Sequence, residues 1–211
     1  MRFLSLLLIT LFPLSANAVT EVDAGKGAKA FSACAGCHGT MAEGNNAMGA
    51  PQLAGQNSEY LKYQLQGFRL GYRGSHSEDT QGNTMRVMAL ELSDAQVDIL
   101  AAYLSDLPPK PNAVAAAKSR IDSSVGGKGM YGGVCSACHG AKAEGNSILG
   151  APRLNHLNSD YLISQLKAYQ KGWRGRHSED RLGQQMRPMA SLLTGEKQIL
   201  DVAAYIQSLG Q

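Results

Sequence analysis

The chain has little of what a large folded core needs. Aromatic residues make up 6% of its 211 residues, and only one is tryptophan. Runs of β-branched residues are missing, which argues against a sheet protein. Beyond Leu14 no long apolar stretch occurs, so the mature chain is expected to have no transmembrane segment. Charged residues amount to 18% and mix both signs. They are not interleaved with aromatics in the pattern that stacks on bases and neutralises phosphates, which excludes nucleic acid as a partner. No catalytic dyad recurs at matched positions. There are four cysteines, all in two short motifs, so no lone thiol is left as a nucleophile. Glycine, by contrast, is abundant at 24 residues and fits short helices joined by loops.

The two motifs are Cys34-Ala35-Gly36-Cys37-His38 and Cys135-Ser136-Ala137-Cys138-His139. C-x-x-C-H is the attachment signature of c-type haem. Each cysteine adds across one vinyl group to give a thioether, and the adjacent histidine supplies an axial nitrogen. Two intervening residues let one helical turn present both sulfurs to one porphyrin edge. A zinc site would place its second C-x-x-C some 15 to 20 residues on, as in ~C-x₂-C-x₁₅₋₂₀-C-x₂-C; here the motifs are 101 residues apart. A thioredoxin-like pair would need a βαβ context. Two structural disulfides remain open to an exported protein. The expected cofactors are two haem c groups, covalently attached through Cys34, Cys37, Cys135 and Cys138, with His38 and His139 on the irons.

Residues 1–18 read as a signal peptide. Arg2 is the charged region, Phe3 to Leu14 the apolar region, and Ala16-Asn17-Ala18 the cleavage site, so the mature chain should begin at Val19. An uncleaved anchor is the alternative. Export and thioether attachment together point to the periplasm.

Internal repetition sets the architecture. From Cys34 to Leu92 the chain aligns without gaps on Cys135 to Leu193, at a constant offset of 101. The expected fold is all-α: two tandem cytochrome c-like domains, each wrapped around one covalent haem c. The boundaries are 19–107 for domain 1, 108–125 for a linker and 126–211 for domain 2. Each domain should open with a helix ending in the haem motif. A second helix begins near Ser58 and Ser159, with serine caps, and ends at Gly71 and Gly172. A loop then leads to paired methionines, and a terminal helix opens at Ser93-x-x-Gln96, a capping box. The terminal helices match at an offset of 102, through one extra residue near Gly195. His156 faces Gly55 in the repeat and reads as a surface residue.

Thioether sulfur opposite histidine favours ferrous iron. Of eight methionines, only Met85/Met186 and Met88/Met189 recur at matched positions. The first of each pair is the favoured axial ligand. The second is packing or the alternative ligand. His76 and His177, also matched, are competing ligands. Arg73 and Arg174 are candidates to fork onto haem propionates.

Each half thus resembles a small class I cytochrome c. The tandem arrangement resembles the dihaem cytochrome c4 family over nearly the whole mature chain, most specifically in the haem motifs, the Ala-Pro-x-Leu segments (Ala50 to Leu53, Ala151 to Leu154) and the Met-Arg-x-Met segments. The resemblance implies that the Pro51 and Pro152 carbonyls accept the proximal histidine's Nδ1–H and that the distal ligands are Met85 and Met186. It also implies two domains packed about a pseudo-twofold axis. The expected function is a periplasmic electron carrier, not an enzyme, between a respiratory donor and a terminal oxidase or reductase. Its partners would be redox proteins, some of them membrane-bound complexes. The alternatives are a dihaem enzyme of peroxidase or thiosulfate-oxidising type, and an electron-entry subunit of a larger oxidoreductase.

Charge divides unevenly. Val19 to Pro109 holds 6 Lys and Arg against 10 Asp and Glu, net −4; Lys110 to Gln211 holds 13 against 7, net +6.

Two predictions follow from sequence alone. Intact mass after export in a haem-maturing host should equal the chain from Val19 plus two haems; a mass with free thiols or a disulfide defeats the assignment. The C-terminal haem should have the higher potential, because a cationic surround favours losing the extra positive charge of ferric haem. Screening beyond ~8 Å keeps the gap to tens of millivolts. Redox titration at low ionic strength checks the order.

Overall fold

The computed structural model describes residues 20–110 and 126–210. The signal peptide, the cleavage site and most of the expected linker lie outside the described residues. Helices dominate, and among the described residues the only β pairings are the isolated bridges Asn45–Ala50 and Asn146–Ala151.

In the first half, α1 (Thr20–His38) packs on α4 (Asp94–Asp106). Between them in sequence, α2 (Ser58–Arg69) packs on both α3 (Thr80–Leu90) and α4. Close crossing of α1 on α4 needs Gly27: a Cβ there would meet Tyr103 Cβ at 2.4 Å. Phe31, Leu61, Leu100 and Leu104 form the core above this crossing.

The second half repeats the plan with one change. In place of α1 stand α5 (Gly126–Met130), a π-helical turn (Tyr131–Cys135) and α6 (Ser136–His139). Gly127 to Tyr131 spans four residues, like Gly27 to Phe31, but Tyr131 to Cys135 spans four where Phe31 to Cys34 spans three. The π turn absorbs that extra residue. Both aromatics therefore stay buried, Phe31 beside Tyr103 and Tyr131 beside Tyr205. Tyr131 also donates its hydroxyl to the Gly140 carbonyl at 2.6 Å. The remaining helices are α7 (Ser159–Gln170), α8 (Arg181–Ser191) and α9 (Glu196–Ser208).

Local signals sort into matches and corrections. Ser93 and Gln96 form the full capping box. The second helix of each half does start at Ser58 and Ser159, but its caps are Asn57 and Asn158, one residue earlier. Asparagine's carbonyl reaches the free N–H groups of the first turn. The methionine pairs lie on helices α3 and α8, not on loops. Asp79 and Asp180 cap these helices by accepting from Gly82 N and Gly183 N, both at 2.9 Å.

The halves meet along a reciprocal polar seam. Arg73 donates to Gln64 Oε1 at 2.7 Å and to Gln165 Oε1 at 2.8 Å. Arg174 donates to Gln165 Oε1 at 2.6 Å and to Gln64 Oε1 at 2.9 Å. Each guanidinium also lies 4.4 Å over an aromatic ring, Phe68 and Tyr169 respectively. Flanking this square, Tyr72 stacks on His177 at 4.5 Å and His76 on Trp173 at 5.6 Å. Gln56 exchanges two hydrogen bonds with the Arg153 backbone, and Tyr63 donates to Asp180.

His156 is buried rather than on the surface. Among the described residues neither ring nitrogen has a well-formed hydrogen bond, although the Gln52 backbone is close enough to offset a little of the burial effect. Burial, with the Arg153 charge, pushes the imidazole down to about 3. The unfolded chain binds this proton near the ordinary histidine pKa of ~6.5. Stability should therefore fall as pH drops from there towards 3, by a few kcal/mol in order of magnitude. Denaturant unfolding of His156→Phe beside the parent should show a shallower acid dependence over that window. Equal acid sensitivity would assign it to other groups.

Candidate functional site

Helix α1 delivers Cys34, Cys37 and His38 in its last turn. Gly39, at φ 82°, then turns the chain back. The Glu43 carboxylate accepts from Met41 N at 2.8 Å, and Gly44 N donates to His38 O at 2.7 Å. The Asn45–Ala50 bridge closes the loop, and Leu53 N donates to Ala42 O at 2.8 Å. The loop carries the Pro51 carbonyl to 2.9 Å from His38 Nδ1. In the second half Pro152 O lies 3.0 Å from His139 Nδ1. A carbonyl only accepts, so Nδ1 carries the proton and the Nε2 lone pair is free to ligate metal.

Both histidines are buried, His38 at 4% exposure and His139 at 5%. Burial pushes their pKa values down, partly offset by the proline carbonyls. Neutral imidazole is the form that binds iron. Within each cysteine pair the first thiol is half-buried and the second exposed. Burial, and the neighbouring Cys37, raise the Cys34 thiol; burial and Cys138 push Cys135 up to about 11.

Beside His38 runs an apolar cleft between α1, α2, α3 and α4. Cys34, His38, Leu53, Leu65, Met85 and Met88 line it. Met85 and Met88, one turn apart, share a face of α3. Met85 is half-buried, whereas Met88 is 47% exposed. Met186 and Met189 show the same contrast, with Met189 40% exposed. His76 and His177 instead sit at the seam, where their Nδ1 atoms accept from Glu78 N and Glu179 N. Arg73 and Arg174 are buried in the seam; among the described residues neither has a carboxylate within ion-pair distance, and Arg73 Nε has no hydrogen-bond partner.

These features of the first half fit haem c, and the second half repeats the thiol pair, the histidine–proline hydrogen bond and the helical methionines. The cleft is apolar, a neutral imidazole with a free Nε2 stands on one wall, two thiols stand at the edge, and thioether sulfurs stand on α3. The cytochrome c family profile matches residues 24–108 and 124–210. Cytochrome c4 of Stutzerimonas stutzeri is 30% identical over 200 residues, covering 92% of this chain and 91% of that protein. The thiosulfate dehydrogenase electron acceptor of S. stutzeri strain A1501 is 34% identical over 191 residues, covering 86% and 81%. The solved cytochrome c4 of Acidithiobacillus ferrooxidans superposes with a TM-score of 0.68 at 26% identity, covering 84% of this chain and 99% of that one.

The chain belongs to the dihaem cytochrome c4 family.

As a cytochrome c4 it is an electron-transfer protein with two covalently bound haem c groups, one at Cys34/Cys37 with His38 and one at Cys135/Cys138 with His139. Its partners are redox proteins. Among the described residues no helix is long and apolar enough to cross a membrane.

Sequence reasoning missed the seam. Gln64 and Gln165 recur at the offset of 101 inside an apolar helical stripe, and a matched polar residue there was the available signal.

Proposed function

We propose that this cytochrome c4 is a periplasmic carrier that takes one electron per haem from a respiratory donor and passes it to a terminal oxidase or reductase. Bound haem c supplies an iron that cycles between ferric and ferrous states. The chain supplies ligands, an apolar surround and a fixed distance between sites. One observation carries the reading: both halves present the same candidate ligand set in the same frame. An enzyme would need one iron with an exchangeable position, hence unlike halves.

Met85 and Met186 are the proposed distal ligands. Their deeper placement than Met88 and Met189 supports this. Arg73 and Arg174 are proposed to face haem propionates, since two buried guanidiniums without a carboxylate call for an anion. The likeness to a thiosulfate dehydrogenase electron acceptor favours a thiosulfate-oxidising enzyme as donor.

Met85→Ala should abolish the methionine–iron charge-transfer band of one haem and lower its potential, leaving the other haem near its parental value. If Met88→Ala does this instead, the ligand lies one turn further along α3. Carbon monoxide tests the carrier role: rapid stoichiometric binding to one reduced haem would show an exchangeable position and favour the dihaem enzyme. For the donor, reduction by thiosulfate together with a thiosulfate dehydrogenase is the direct assay.

A further inference from the structure

Two copies of one fold in one chain allow subtraction, position by position. The loop that carries each proline carbonyl projects a tip between its bridge residues. In the first half that tip is Ala47-Met48, where Met48 is 52% exposed. In the second it is Ile148-Leu149, with Ile148 93% exposed and Leu149 47%. Ile148 and Leu149 are adjacent, so together they present a short apolar tip to solvent. The apolar difference between the tips is thus Ile148 in place of Ala47, and the larger difference is charge. The surroundings change with it. Lys142, at the loop's base, stands where the first half has Met41. Arg181 stands where it has Thr80. Arg181 starts α8, and its neighbour Leu182 packs against the loop: a Cβ on Gly150 would meet Leu182 Cδ1 at 2.8 Å. Lys142 and Arg181 are both exposed; among the described residues neither is within salt-bridge distance of a carboxylate, although the Lys142 charge acts on Glu144. The nearby acids Glu144 and Glu179 have counterparts in Glu43 and Glu78, so the second half adds cations without adding acids.

We infer that the Ile148–Leu149 tip, rimmed by Lys142 and Arg181, docks an acidic face of a redox partner protein, and that the matched tip of the first half does not. The net +6 of the second half draws such a partner in. The apolar tip then supplies the contact that excludes water at the centre. The position suits electron transfer: Leu149 is three residues from Pro152, whose carbonyl holds His139 at 3.0 Å. This inference rests on the carrier reading and names the partner's chemistry and the half it meets.

The test is stopped-flow oxidation of the reduced dihaem protein by a small blue-copper protein with an acidic face, at low and high ionic strength. Lys142→Glu/Arg181→Glu should slow the reaction at low salt by about tenfold or more, the lower end of the range for electrostatic steering. The difference should shrink at high salt. Ile148→Ser/Leu149→Ser should slow it at both. The matched first-half variant, Met41→Glu/Thr80→Glu, should leave the rate within about twofold, since it keeps Lys142, Arg181 and the Ile148–Leu149 tip in place. Equal slowing by that control overturns the site in favour of overall charge. No slowing by either second-half variant overturns it outright. A protein that reduces ferricyanide normally while its variants do not differ loses the docking site alone. One that reduces neither acceptor loses the carrier reading, and the docking site with it.

Discussion

The hydrogen bond from His38 Nδ1 to the Pro51 carbonyl, and its twin from His139 to Pro152, tie the last turn of a helix to a loop thirteen residues on. Most of the local structure serves that distance. Gly39 turns the chain, Glu43 holds the turn's amides, and the Asn45–Ala50 bridge stops the loop from sliding. Each link joins residues close in sequence, so the loop itself holds the histidine. The bond also decides chemistry. It fixes the tautomer, leaves Nε2 as the only free lone pair, and makes the ring a more basic ligand. A free histidine in so apolar a site would be neutral as well, but it would be free to rotate.

The same frame leaves a cleft that the chain does not fill. Each half has a small core, and in the first half Leu53 and Leu65 both pack on that core and line, with Met85 and Met88, the cleft beside His38. Small domains bury a modest share of their surface and commonly need a cofactor or staple. Here haem is both. The seam shows a related dependence. Two guanidiniums are buried side by side, each held by both glutamine amides and neither by a carboxylate. Amide oxygens satisfy hydrogen bonds without cancelling charge, so two like charges stay close together in a poorly solvated place. Fixing the halves in this way also fixes the distance between their haem sites.

The sequence made the haem motifs, the fold class and the capping box legible because each depends on a few residues close together in the chain. The helix stops at Gly71 and Gly172 follow from the same kind of local signal. What escaped reading depends on contacts between remote residues. His156 reads as a surface residue because nothing within ten positions shows that the other half covers it. Gln64 shows its role only once Arg73 and Arg174 are placed beside it. The helix caps were missed more narrowly, since Asn57 and Ser58 are both good capping residues and only backbone geometry chooses between them.

The two halves act as each other's control, which separates what the fold requires from what this chain adds. Cysteine, histidine, proline carbonyl and methionine recur at fixed offsets. So do the buried arginine and glutamine of the seam. Where an insertion threatens that frame, between Tyr131 and Cys135, the helix opens a π turn and the frame survives. The surface follows no such rule. Lys142, Arg176 and Arg181 replace Met41, Ser75 and Thr80, and Ile148 replaces Ala47. None of these touches a haem-binding residue, so packing does not demand them. A duplicated carrier with identical faces would offer donor and acceptor the same two doors. Changing charge on one face alone leaves both iron sites intact while giving the two halves unlike surfaces.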